Sequence, residues 1–139
     1  MILNKIIIIF FIIIFPNQIL AHTNHYKDIK KIKMEIFRND KLIGYNNYFF
    51  KRKEGITEIT NQIKFTVNLL GAKIFIFESY GIEKYKNNQL ISFNSKTIQN
   101  NKKKFVNLSF NKKDNKFIIE GSSFNGTTNS DSVIANWWN

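Results

Sequence analysis

In the stretch ITEITNQIKFTVNL, residues 56–69, polar and apolar side chains alternate with a period of two. Thr57, Ile59, Asn61, Ile63, Phe65, Val67 and Leu69 share one side; Ile56, Glu58, Thr60, Gln62, Lys64, Thr66 and Asn68 share the other. A period of two sustained over this length predicts a long, half-buried β-strand. The same grammar recurs on either side. KIKMEIF (31–37) sets Ile32, Met34 and Ile36 against Lys31, Lys33 and Glu35, and LIGYNNYFFKR (42–52) follows after the turn sequence RNDK. Beyond residue 69 come KIFIFESYGIEKYK (73–86), QLISFNSKTIQ (89–99), KFVNLSF (104–110) and KFIIEGSSF (116–124). Between them lie KEG, the turn at Gly71, and the Asn-rich runs NN, NNKK and KKDN. Asn, Asp and Gly favour the left-handed conformations of tight hairpins. NGTTNSDS, from residue 125, carries no alternation and reads as an irregular loop.

Short polar connections force neighbouring strands to run antiparallel. The predicted fold is therefore all-β: an up-and-down antiparallel meander of about seven long strands, curled into a half-barrel by the twist of long strands. Two segments interrupt the alternation. KIFIF (73–77) and YFF (48–50) are apolar on both sides and need cover on both faces.

Residues 1–21 have a different pattern. A short start with one lysine, MILNK, precedes the apolar run IIIIFFIIIF and the segment PNQILA, which ends on Ala21. This is the layout of a secretory signal peptide, expected as a helix and cleaved after Ala21. The apolar run is shorter than the ~20 residues that span a bilayer. The expected organisation is a signal peptide over 1–21, a lead-in over 22–30 and the β domain over 31–139, with no transmembrane segment in the mature chain. The location this implies is outside the cytoplasm, periplasmic or secreted.

Charge adds one element. The chain carries 21 Lys and Arg against 10 Asp and Glu, a formal net charge of +11, and Lys5 is the sole charge in the leader. Export argues against nucleic acid as the partner of this basic surface. It leaves an anionic envelope surface such as lipid or acidic glycan, or simple solubility in a chain rich in Ile, Asn and Lys. No pattern sets an oligomeric state.

Catalytic chemistry is sparse. With no cysteine there is no thiol nucleophile, disulfide or thiolate metal site. The two histidines, His22 and His25, sit in the lead-in, where an incidental polar tail explains them. No catalytic residue, metal site or cofactor is expected. Glu83 and Tyr85 share one side of their strand. Facing inward, Glu83 would be a buried acid with a raised pKa, within hydrogen-bonding reach of a tyrosine hydroxyl. Facing outward, it would be a solvated acid among Lys84, Lys86 and Lys73. Aromatic residues are spread over every strand after the first and fit either an ordinary core or the lining of an apolar cavity. The candidate ligand-binding set is Phe65, Phe75, Phe77, Tyr80, Glu83, Tyr85, Phe93, Trp137 and Trp138.

The stretch YGIEKYKNNQLISFNSKT resembles an uncharacterised family of exported bacterial β-proteins with a pattern close to E-x-W-x-x-G-x-L-x-x-L-x-S-x-T. Glu83 matches the acid, Tyr85 stands at the tryptophan and Asn88 at the glycine, and Leu90, Phe93, Ser95 and Thr97 match the rest. RNDKLIGYNNYFF resembles the family's earlier hairpin, with Gly44 at its second glycine. ANWWN, with Trp137 and Trp138, resembles a mid-domain segment of that family, so the resemblance implies a domain incomplete at its C-terminal end. Were the domain complete, both tryptophans would be expected to fold back near Phe75 and Phe77. The plan is also similar to that of periplasmic carriers of acyl chains. From these features the expected function is a non-catalytic envelope protein binding an apolar or lipid ligand. The alternative is a structural protein that pairs with a partner through its sheet edge.

Overall fold

A computed structural model describes residues 28–131. The predicted signal peptide, the two histidines and the tryptophan pair lie outside these residues. Within them the chain is an all-β meander of eight antiparallel strands in one curled sheet, paired in sequence order. The strands are β1 (Lys31–Arg38), β2 (Lys41–Lys53), β3 (Ile56–Leu69), β4 (Ala72–Lys86), β5 (Gln89–Gln99), β6 (Lys102–Asn111), β7 (Lys116–Gly121) and β8 (Asn125–Asn129). β1 and β8 are the two edges, and the sheet does not close.

The turns form where the Asn, Asp and Gly residues predicted them. Asn39 and Asp40, Glu54 and Gly55, Leu70 and Gly71, Asn87 and Asn88, and Asn100 and Asn101 all have positive φ. Positive φ at both central residues is the type I′ signature, whose twist matches that of the flanking strands.

The eighth strand corrects the sequence reading. NGTTN is a strand: Asn125 to Asn129 pair with Glu120 to Lys116 along β7. Its side chains are small and polar, so no apolar period announces it. The backbone of β7 offers the free edge. The Asn125 carboxamide accepts from the Gly121 N–H at 3.1 Å, closing the turn. Ser122 fastens the same turn to β6, its N–H donating to the Phe105 carbonyl at 3.0 Å and its hydroxyl accepting from the Phe105 N–H at 2.7 Å.

One face of the sheet holds every buried side chain of the described residues. Tyr48, Phe50, Ile59, Glu83, Tyr85 and Phe117 all lie on it. A row of facing residues crosses six strands there: Phe50, Ile59, Glu83, Phe93, Leu108 and Ile119. Tyr48, Phe50, Ile59 and Tyr85 form the core cluster, with Ile32, Met34 and Leu90 packed around it. The opposite face is polar and ion-paired: Lys64 meets Glu78 at 2.7 Å, and Lys84 meets Glu58 at 3.5 Å. The hydrogen bond and charge of Glu78 raise the pKa of Lys64 above its usual value.

Gly44 shows why the β1–β2 hairpin needs a glycine. It faces Phe65 across β2–β3, and a Cβ there would strike the carbonyl oxygen of Lys64 and the Phe65 side chain. The hairpin register shifts between Ile36 and Phe37, beside this close approach.

Candidate functional site

β4 supplies the centre of the buried face. Its residues 75, 77, 79, 81, 83 and 85 point to one side by the period of a strand. Glu83 faces Ile59 on β3 and Phe93 on β5, so a carboxyl group stands inside an apolar row. It is buried, and the Tyr85 hydroxyl donates to its Oε2 at 2.7 Å. Burying a carboxyl group without partners is costly, and a short hydrogen bond of this kind offsets part of that cost. Of the two orientations expected for Glu83, the inward one is observed, with the tyrosine hydrogen bond. Lys84 and Lys86 belong to the opposite face, where Lys84 pairs with Glu58.

A β-bulge sits beside Tyr85. Lys84 faces Ser92, but Tyr85 faces Leu90, leaving Ile91 as the extra residue. The bulge places Leu90 and Phe93 on the same face although they are three apart. Bulges re-aim side chains in this way. Leu90 packs against the core cluster, and the ring of Phe93 lies over Gly81, where a Cβ would sit 3.4 Å from it.

Along the same face a polar strip separates two apolar zones. Asn46 donates from Nδ2 to the Tyr48 hydroxyl at 3.0 Å, and Asn61 donates to Asn46 Oδ1 at 2.6 Å and to the Asn47 carbonyl at 3.3 Å. The hydroxyls of Ser79 and Thr97 lie 2.9 Å apart on the next strand pair. Beyond the strip, Phe65 stacks with Phe77 at 5.3 Å and with Phe75 at 5.7 Å between ring centroids. A second pair, Phe110 and Phe117, packs at 5.2 Å on the far strands.

The structure thus brings Phe65, Phe75, Phe77, Glu83, Tyr85 and Phe93 onto one face. Tyr80 lies on the other, exposed, between Gln62 and Lys96. Trp137 and Trp138 lie outside the described residues. Tyr48, Asn46 and Asn61 also belong to the face, and the sequence reading did not single them out. Their signal was in the alternation itself, since Tyr48 and Asn46 share the parity of Phe50. Among the described residues no three His, Asp or Glu side chains gather as a metal site requires. Nor is any helix there long and apolar enough to cross a membrane.

A family model described as a domain of unknown function, DUF6134, matches residues 34–139. No curated protein and no solved structure matches the chain.

Proposed function

We propose that this chain, which belongs to the DUF6134 family, a domain of unknown function, is an exported, non-catalytic envelope protein that holds an apolar or lipid ligand against the buried face of its sheet. One observation carries the reading. A single curled sheet presents an aromatic stack, a hydrogen-bonded polar strip and the buried Glu83–Tyr85 pair on the same side. Apolar sites with a few placed polar groups are the usual form of ligand pockets. The stack of Phe65, Phe75 and Phe77 suits a hydrocarbon body. Asn46, Asn61, Ser79 and Thr97 suit a head group that exchanges hydrogen bonds. The leader-type pattern of residues 1–21 supports export.

The test is native mass spectrometry of the full-length protein expressed with its leader and purified from the envelope. A bound lipid that survives purification is the expected result. Repeated recovery of ligand-free protein would sink the reading.

A second reading rests on the sheet edges. Within the described sheet β1 and β8 each have a single neighbouring strand, and such edges can add a partner strand. Chemical crosslinking in the envelope would then return a discrete adduct. Monomer alone would count against it.

A further inference from the structure

Between its neighbours, the β3–β4 hairpin projects as a two-stranded finger. β2 stops pairing with β3 at Gly44–Phe65, and β4 stops pairing with β5 at Phe77–Gln99. Beyond those pairs the two strands continue together to Leu69 and Ala72. At ~3.4 Å per residue the finger runs roughly 14 Å beyond its last pair with β2. Its base is clamped by Asn100, which accepts from the Ile76 N–H at 2.8 Å through its side chain and donates its own N–H to the Ile76 carbonyl at 3.0 Å.

The tip is anomalous. Other tight turns of this chain use Asn, Asp, Glu or Gly at their positive-φ positions. Here Leu70 takes φ 50 and is 99 % exposed. A branched apolar residue is doubly disfavoured there, by the left-handed backbone and by full contact with water. Leu69 and Ile74 beside it are also exposed. One side of the finger is apolar, with Val67 facing Phe75 and Leu69 facing Ala72; on the other Asn68 faces Lys73, and a bulge leaves Ile74 as the extra residue.

Cations surround this end. Lys73 lies on the finger itself, and Arg38, Lys41, Lys102 and Lys103 sit in the flanking β1–β2 and β5–β6 hairpins, all exposed. Asp40 is the one acid in those turns. The opposite end of the sheet is different. Its β2–β3, β4–β5 and β6–β7 turns are polar and charged, with no exposed leucine.

We propose that the β3–β4 finger is a membrane-contact element: Leu69, Leu70 and Ile74 dip into the surface of an anionic bilayer while Lys73 and the flanking turn cations meet lipid phosphates. The exposed apolar groups Leu69, Leu70 and Ile74 gather at the tip with exposed cations on it and beside it, a layering that matches an anionic bilayer surface, where phosphates lie above hydrocarbon. A second copy of the chain would bring the same cations against these. Lys73, near the tip, limits insertion to the interfacial layer, where long basic side chains reach back to the head groups. This inference does not rest on the ligand reading above and can stand or fall without it.

The experiment uses the full chain with phosphatidylglycerol/phosphatidylcholine vesicles and with pure phosphatidylcholine vesicles. The sequence has no cysteine, so Leu70→Cys carries one environment-sensitive fluorophore, which separates contact by the finger from contact by any other segment. Expected are a blue shift with the anionic vesicles only, and partitioning weakened about tenfold by Leu70→Asn and about fivefold by Lys73→Gln. Asn suits the turn, so Leu70→Asn should melt no lower than the parent, which separates lost contact from lost folding. No blue shift, equal binding to neutral vesicles, or Leu70→Asn binding within about twofold of the parent overturns the proposal. A shift that grows with protein concentration in the absence of vesicles also overturns it, in favour of self-association.

Discussion

The hydroxyl of Tyr85 donates to the Glu83 carboxylate at 2.7 Å across the interval of a single strand residue, and both side chains are buried. The pair places a polar contact in the middle of an apolar row. Removing one partner leaves the other without that bond in a dry setting, whereas removing both does not. Tyr85→Phe is expected to destabilise the fold by about 1–3 kcal/mol. Combining it with Glu83→Leu should recover part of that loss, giving a coupling energy of about 0.5–3 kcal/mol. Chemical denaturation of the four species of the cycle measures it, and strict additivity would falsify the coupling.

Gly44 and Gly55 make a paired test of why glycine is needed. At Gly44 a Cβ would collide with the Lys64 backbone, so Gly44→Ala should cost about 1–3 kcal/mol, as overpacking does. At Gly55, φ is 75 and nothing stands within 4 Å of the added carbon. Gly55→Ala therefore bears only the left-handed backbone cost, about 1 kcal/mol. Denaturant midpoints that ranked the two the other way would contradict the assigned β2–β3 register.

The two faces of β3 are expected to respond unequally. Ile59 is 1 % exposed in the core cluster, while Ile56 lies on the opposite face at 37 %. Ile59→Ala should cost about 2–5 kcal/mol. Ile56→Ala should cost about 1 kcal/mol or less. Equal losses on thermal or urea unfolding would mean that the sheet buries its faces differently.

Ligand capture divides the aromatic residues by face. Phe77→Ala removes one ring of the Phe65–Phe75–Phe77 stack and should lower co-purified lipid about tenfold. Tyr80→Ala, on the other face, should leave it unchanged. Lipid extracted from envelope-purified protein and quantified by mass spectrometry distinguishes the two, and equal effects would remove the buried face from consideration as the site.

Much of this architecture was legible because strands and hairpin turns are local. Alternation assigned Ile59, Phe65 and Glu83 to definite sides of their strands, and Asn39, Asn87 and Asn100 marked turns through their tolerance of positive φ. The bulge was written in the sequence but harder to read. Leu90 and Phe93 stand at an odd spacing that a regular strand would send to opposite faces, and Ile91 as an unpaired residue restores them to one. Tyr80 shows the opposite difficulty. It is as aromatic as its neighbours, yet its parity sets it apart from Glu83 and Tyr85.

The sequence by itself determined that this chain makes long antiparallel strands, where they turn, and which side chains share a side, since all three follow from the two-residue period and from left-handed turn propensities. Tertiary structure decided which side is buried, because burial depends on how the whole sheet curls over Tyr48, Ile59 and Tyr85. It also decided that the polar NGTTN segment is a strand, since the free backbone edge of β7 and the Asn125 carboxamide hold it there without any apolar pattern. And it freed the end of the β3–β4 hairpin from β2 and β5 with Leu70 at the tip, because where pairing stops is a property of registers between strands.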